Sequence, residues 1–219
     1  MSRLVTALLV RNEADKHLAR VLRHCARFSD RVLVLDDGST DDSREVARAC
    51  GAEVRERGGD PMWGQEAHAR AQLYAWGAEA AGDGWLLICD ADMLLSADPR
   101  PLTHATESNA WAWPLYDLWD SEATYRCDGF WQGHRHPRVW MVRPRGITLG
   151  NPEWPTRGVH CGHLPVNAQL RAAVAPAAYY WLHLAYVDRG ARLTKYGAYA
   201  NLGAQLTPWE RAHAQSVLD

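Results

Sequence analysis

The stretch RVLVLDDGSTDDSREVARACG, residues 31–51, decides the fold. Residues 31 to 36 are apolar and β-branched enough for a buried strand, and the polar run behind them reads as a turn. A helix follows, with Ser39, Thr40 or Asp41 as its cap and Gly51 as its stop. A strand that runs straight into a helix is half of a βαβ unit and needs a parallel neighbour.

Both flanks supply one. Upstream, RLVTALLV (3–10) is a near-continuous apolar strand, and Leu18, Val21, Leu22 and Cys25 follow at helical spacing. Downstream, AEVRER (52–57) is a weaker strand, GQEAHARAQLYAWGAEAAG (64–82) a third helix, and GWLLIC (84–89) a fourth strand. The alternation predicts an α/β fold with right-handed crossovers and a mostly parallel sheet. After Pro99 the texture changes to Trp, Tyr, Pro, Gly and His without helical period, which reads as short strands and ordered loops. RVWMVRP (138–144) reads as a strand returning to the sheet and AAYYWLHLAYV (177–187) as another buried strand. A helix follows with Leu193, Tyr196 and Ala200 on one face, then a short terminal helix over 208–218. With no repeat or linker to divide it, the chain of 219 residues is expected to be a single domain, with halves at 1–97 and 98–219.

A formal net charge of -2 leaves no basic field of the kind that holds duplex nucleic acid, so no nucleic-acid partner is expected. The five cysteines are odd in number, scattered and without a Cys-x-x-Cys pair, as suits reduced thiols in the cytoplasm. About seven apolar residues precede Arg11, too few for a spanning helix, and no signal-cleavage pattern follows. Six of the eleven tryptophans fall between Trp111 and Trp154, where they could fill a core or offer exposed faces on which sugar rings stack.

The chemistry gathers where strands end. The fourth strand runs into Asp90 and Asp92, and residues two apart on an extended chain point to the same side. Two neighbouring carboxylates repel each other and are costly to bury, so a positive partner belongs there. Oxygen donors of this kind suit Mn²⁺ or Mg²⁺, with coordination sites left for water or phosphate. The first strand ends in VRNEAD, which offers Arg11 and Glu13, and the second in LDDGSTDDS, which offers Asp36 and Asp37. In a parallel sheet all three ends lie on the carboxyl edge, where ligands bind.

Taken in order, LLVRNEADKHLARVLRHCARFSDRVLVLDDGSTDDS, LLICDADMLL and WLHLAYVDRGARLTKYGAYA resemble the motifs of family 2-type glycosyltransferases of the GT-A fold. The resemblance covers residues 3 to 97 well and 178 to 200 moderately. It implies a donor that is a nucleotide-diphosphate sugar, with a UDP-sugar favoured, and a carbohydrate or other small acceptor. It also implies that Asp36 or Asp37 contacts the base, that Asp90 and Asp92 hold Mn²⁺ or Mg²⁺ against the diphosphate, and that His183 completes the metal site. Arg192 and Lys195 stand where they could reach the phosphates. A peripheral contact with the membrane, as in envelope polysaccharide or glycoconjugate synthesis, is a further implication of the family.

An inverting transferase needs a carboxylate to take the acceptor proton, and Asp117, Asp120, Glu122 and Asp128 are available. The chain departs from the family in lacking a clear Glu-Asp pair on the acceptor side, which leaves the base open. Asp120 and Asp128 are favoured because Trp119, Tyr125 and Trp131 around them read as an acceptor wall. His134, His136, His160, Cys161 and His163 could bind zinc, although their spacing fits no regular pattern. Two other functions stay in play. A sugar-nucleotide nucleotidyltransferase would share the sheet, but LLVRNEAD lacks its glycine-rich phosphate loop; a metal-dependent carbohydrate-binding protein without turnover would also use the tryptophans.

Overall fold

Strand β1 (Leu4–Val10) is the axis of the structure, with every residue but Leu9 buried. The computed structural model describes residues 2–57, 66–154, 162–202 and 206–219. β1 lies between two parallel neighbours, β2 (Arg31–Asp36) and β4 (Trp85–Asp90), and β2 pairs in parallel with β3 (Glu53–Glu56). Val10 pairs with Asp36 and Leu9 with Asp90, so the acidic ends of β2 and β4 emerge level with the end of β1. The register follows from continuous apolar runs that are buried on both faces.

Each face carries its own core. Helix α1 (Leu18–Cys25) brings Leu18, Val21 and Leu22 onto the face that holds Leu4, Leu8, Val34 and Leu87, and α2 (Ser43–Ala49) adds Ala47. Helix α3 (Ala67–Ala81) brings Leu73, Tyr74 and Trp76 onto the other face, against Val5, Leu33, Leu86 and Ile88. α3 comes down very close to β4: a Cβ built on Gly77 would lie 2.6 Å from Leu86 Cδ1. Only glycine fits there without moving the core.

Beyond β4 the chain stops alternating. The large sheet has the order β3-β2-β1-β4-β8-β6-β9, and β8 (Arg138–Val142) is antiparallel to both β4 and β6 (Ala110–Trp113). RVWMV thus returns to the sheet as the sequence suggested. β9 (Ala172–Val174) closes the far edge, parallel to β6. A second sheet of three strands has β10 (Trp181–His183) at its centre, antiparallel to β5 (Met93–Leu95) and parallel to β7 (Leu115–Asp117). The expected strand over 177–187 is therefore shorter, and it belongs to this second sheet. It is extended only over Trp181–His183 and turns into a 3₁₀ segment at Leu184–Tyr186, with Leu184 N–H donating to Asp92 O at 2.8 Å.

Helix α4 (Arg189–Ala200) starts at an Asp188 cap, and α5 (Pro208–Gln215) at a Thr207–Glu210 capping box. The inward face of α4 is not the one that apolar spacing suggests. Leu193 is exposed, whereas Arg192 and Tyr199 are buried. A charged residue wins the inner position because its partners wait there: Arg192 donates to Tyr186 O and to Asp120 Oδ1 and lies over the Trp119 ring.

Leu8→Ala should cost about 2–5 kcal/mol, the usual loss for a fully buried leucine. Urea unfolding should show a lower midpoint at unchanged slope.

Candidate active site

Two loops at the carboxyl edge are stitched together before any charged group is considered. Asn12 has φ 54°, and its side-chain oxygen accepts from Thr40 N–H at 2.8 Å while its own N–H donates to Ser39 Oγ at 3.0 Å. Glu13 N–H donates to Ser43 Oγ, and Ala14 N–H to Asp41 Oδ2. Gly38, at φ 73°, allows the chain to turn sharply after Asp37. None of the three expected residues is the cap of α2: Asp42 holds that position without a side-chain bond, Asp41 accepts from Ser43 N–H at 3.0 Å one residue before it, and Ser39 and Thr40 are spent on Asn12. The β1–α1 and β2–α2 loops are thus one rigid wall.

Asp36 and Asp37 are both buried in this wall, but their situations differ. Asp37 Oδ1 accepts from Arg57 Nε at 2.5 Å, a buried ion pair. Asp36 Oδ2 accepts from Ser39 N–H at 3.1 Å, and Asp36 Oδ1 is buried with no hydrogen-bond partner among the described residues. A buried carboxylate oxygen without a donor is expensive, which sets Asp36 apart from the fully committed Asp37.

Asp90 closes β4 facing the other core. Arg70 of α3 donates to its Oδ1 at 2.8 Å, and His163 Nε2 lies 3.3 Å from the same atom. Burial opposes ionisation of Asp90, yet Arg70 and His163 hold its carboxyl well below the usual range. Asp92 turns toward the second sheet. Its Oδ2 lies 3.4 Å from His183 Nε2, while its Oδ1 is buried without a partner among the described residues. On the far side of the ring, His183 Nδ1 meets Asp117 Oδ1 at 2.7 Å. Burial alone would lower the His183 pKa, but Asp92 and Asp117 outweigh it and raise the value to about 9. Lys195 lies 4.5 Å from the Tyr186 ring centre; its burial is likewise outweighed, by the Tyr186 and Tyr199 hydroxyls and by Asp92, and its pKa rises well above the ordinary lysine value. The point between Asp92 and His183 therefore favours positive charge.

Among the described residues no three His, Cys, Asp or Glu side chains form a closed metal cage. The free donors fit a looser grip: Asp92 offers a partnerless buried oxygen beside His183, and Asp90 keeps Oδ2 outside its contacts with Arg70 and His163. Such a set suits a hard divalent cation that keeps water or phosphate ligands of its own.

The remaining candidates spread around this centre. Arg11, half-buried after β1, has no hydrogen bond or ion pair among the described residues and is free to meet an anion. Glu13 pairs with Lys16 at 2.8 Å; burial, with a smaller contribution from Asp92, raises its pKa. Arg192 goes to Asp120 rather than toward Asp90 and Asp92. Asp120 has φ 59°, a conformation that costs a non-glycine residue about 1 kcal/mol or more and is concentrated at functional sites. Asp128 is exposed, with both oxygens on Arg126.

Trp119 and Trp131 do not line a cleft. They pack inward on each other and on Tyr186, leaving Tyr125 exposed. Of the possible zinc group, His160 and Cys161 lie outside the described residues. His134 packs on Tyr116 and Tyr125, whereas His163 sits on Trp140 and Asp90, so these two serve different neighbourhoods.

Sequence reasoning missed Arg57, Arg70 and the use made of Asp117 and His163. For Arg70 a signal was present: it shares the inward face of α3 with Leu73 and Gly77, at i, i+3 and i+7, where an arginine is out of place unless a carboxylate awaits it. Arg57→Ala would leave Asp37 buried and unpaired, and a loss of about 3–5 kcal/mol in chemical denaturation is expected.

Residues 7–110 match the family model described as Glycosyl transferase family 2. An uncharacterized glycosyltransferase, RP128, of Rickettsia prowazekii (strain Madrid E) is 29% identical over 98 residues, which are 45% of this chain and 30% of the relative. Among solved structures, S. aureus TarS superposes with a TM-score of 0.55 at 15% identity, over 99% of this chain and 42% of TarS. Glucosyl-3-phosphoglycerate synthase from Mycobacterium tuberculosis, solved with Mg²⁺ and uridine-diphosphate, gives a TM-score of 0.39 at 20% identity over 52% of this chain and 43% of that one. The chain thus spans less than half the length of each. The likeness to TarS is one of fold, and the mostly parallel sheet between helices is the GT-A arrangement expected from the sequence.

Proposed function

We propose, from the premise that residues 7–110 are a family 2 glycosyltransferase region on a GT-A fold, that this chain transfers a sugar from a nucleotide-diphosphate sugar to a carbohydrate or other small acceptor with the help of Mn²⁺ or Mg²⁺. One observation carries the reading. At the carboxyl edge Asp92 keeps a buried oxygen without a donor beside His183, at a point where positive charge is favoured, and this lies level with the rigid wall that holds Asp36.

Asp36 is the better supported contact for the nucleotide base, because its Oδ1 needs a donor while Asp37 is committed to Arg57. UDP is the favoured nucleotide. Asp90, Asp92 and His183 would hold the cation, which when bound offsets charge developing on the leaving diphosphate. Lys195 supplies positive charge beside Asp92, Arg11 follows β1 on the carboxyl edge where it would meet the diphosphate, and Glu13 lines the same loop as Arg11. Lys195 keeps its charge in an enclosed setting, where it acts more strongly than it would in water.

On the acceptor side Asp120 is favoured over Asp128 as the base. Its strained backbone is tied down by Arg192, which grips Oδ1 and the Tyr186 carbonyl, and Tyr186 packs edge-on against His183 at 5.2 Å. Asp120 would accept the proton of the acceptor hydroxyl as that oxygen bonds to the anomeric carbon and the nucleoside diphosphate departs. No helix among the described residues is long and apolar enough to cross a membrane.

A thermal-shift panel of UDP, GDP, dTDP, CDP and ADP, each with and without Mn²⁺, tests the reading. One nucleotide, expected to be UDP, should stabilise the protein by about 2.7 kcal/mol at 100 times its Kd, and only with metal. Asp92→Ala should abolish that response and leave the unliganded melting curve in place; an unchanged response in this variant would overturn the site.

A further inference from the structure

We infer that Asp117 is a positioning residue that fixes the ring orientation and tautomer of His183, so that Nε2 presents its lone pair to the cation site at Asp92. The inference rests on the metal-dependent reading above.

The topology makes the pair unavoidable. β7 and β10 are parallel, and His183 is the register partner of Asp117, so the two side chains leave the small sheet side by side on the same face. On its other flank β10 pairs with β5, and His183 faces Met93, the residue after Asp92. One histidine is thus set between a carboxylate from β7 and one from the turn between β4 and β5. Asp117 is 9% exposed, and its Oδ1 lies 2.7 Å from Nδ1. A carboxylate at that distance accepts, so Nδ1 carries the hydrogen and a neutral ring has its lone pair on Nε2.

Nε2 in turn faces Asp92 Oδ2 at 3.4 Å, a separation longer than a good N–H···O bond, and Asp92 Oδ1 has no partner among the described residues. When the ring is neutral, Nε2 and Asp92 Oδ2 are two acceptors facing one another across that gap, and a cation would join them. The ring has little freedom to turn away. Tyr186 closes one face edge-on, with 84° between the planes, and a Cβ built on Gly133 would lie 2.8 Å from Leu115 O and 3.6 Å from Asp117 Oδ2. The lack of a side chain at Gly133 lets that segment close over the Asp117 carboxylate and hold it in place.

Groups that orient a histidine ligand from behind typically affect metal affinity by about 10–100-fold. The test is a Mn²⁺ titration followed by the electron paramagnetic resonance signal of free Mn²⁺, at saturating UDP, on the wild type and on Asp117→Ala, Asp117→Asn and Asp92→Ala. Asp117→Ala should weaken Mn²⁺ by about 10–100-fold. Asp117→Asn, whose amide oxygen still accepts from Nδ1–H, should fall between Asp117→Ala and the wild type. Nitrogen NMR of ¹⁵N-histidine-labelled apoprotein at a pH where His183 is neutral, with the resonance assigned through His183→Gln, should show the Nδ1–H tautomer in the wild type and its loss in Asp117→Ala. Should Asp117→Ala fail to fold, the Asn variant carries the test, with weaker Mn²⁺ binding than the wild type expected. Wild-type Mn²⁺ affinity in the Asp117 variants, while Asp92→Ala has lost it, would overturn the inference alone. Wild-type affinity in Asp92→Ala as well would overturn the metal reading and the inference with it.

Discussion

Negative charge gathered where strands end is the constraint on which this structure turns. Asp36, Asp37 and Asp117 are buried and Asp90 and Asp92 partly so, at or near the ends of β2 and β4 and, in the second sheet, of β7, where burial without partners would cost several kcal/mol. The positive partners come from elsewhere in the chain. Arg57 follows β3, Arg70 rides on α3, His183 ends β10 and Lys195 projects from α4. No local segment can satisfy its own carboxylates, so the edge acquires its final geometry only when distant elements have docked. Such non-local dependence favours one arrangement over its neighbours, because a half-assembled edge is penalised more heavily than an apolar one.

Matching is incomplete in two places, and the exceptions inform. Asp37 and Asp90 are paired outright, whereas Asp36 and Asp92 each retain one buried oxygen without a donor. Both lie at the ends of strands that flank β1. An edge with most of its charges matched and two oxygens held open is arranged for something that brings donors or positive charge with it.

The first half of the fold is legible in the sequence because its signals are local. Continuous apolar runs end in acidic residues, and helices follow at the right spacing, so β1 to β4 and the level ends that carry Asp36 and Asp90 could be read directly, whereas the turn of Asp92 away from Asp90 toward the second sheet could not. The second half is governed by pairings that periodicity does not record. Nothing in the spacing of RVWMV shows that it inserts between β4 and β6, nor that three residues, Trp181–His183, found a separate sheet. α4 misleads for a related reason: its inner face is chosen by Asp120 and the Tyr186 carbonyl, so a charged residue displaces Leu193 from the core. The tryptophans around Asp120 look in sequence like a wall for ligand, but Trp119 and Trp131 bury Tyr186, the residue that backs His183.

The missing side chain at Gly77 has a reach well beyond its own contact. Gly77 and Arg70 lie seven residues apart on one face of α3, two turns or about 10 Å along the axis. The close seat of the helix on Leu86 therefore acts as a gauge block for the guanidinium that grips Asp90. A single methyl there would force either the Leu86 side chain or the helix to give way, and to the extent that the helix moves, the grip two turns away loosens with it. The strength of the edge can thus be tuned from the hydrophobic interior, by residues that no ligand ever meets.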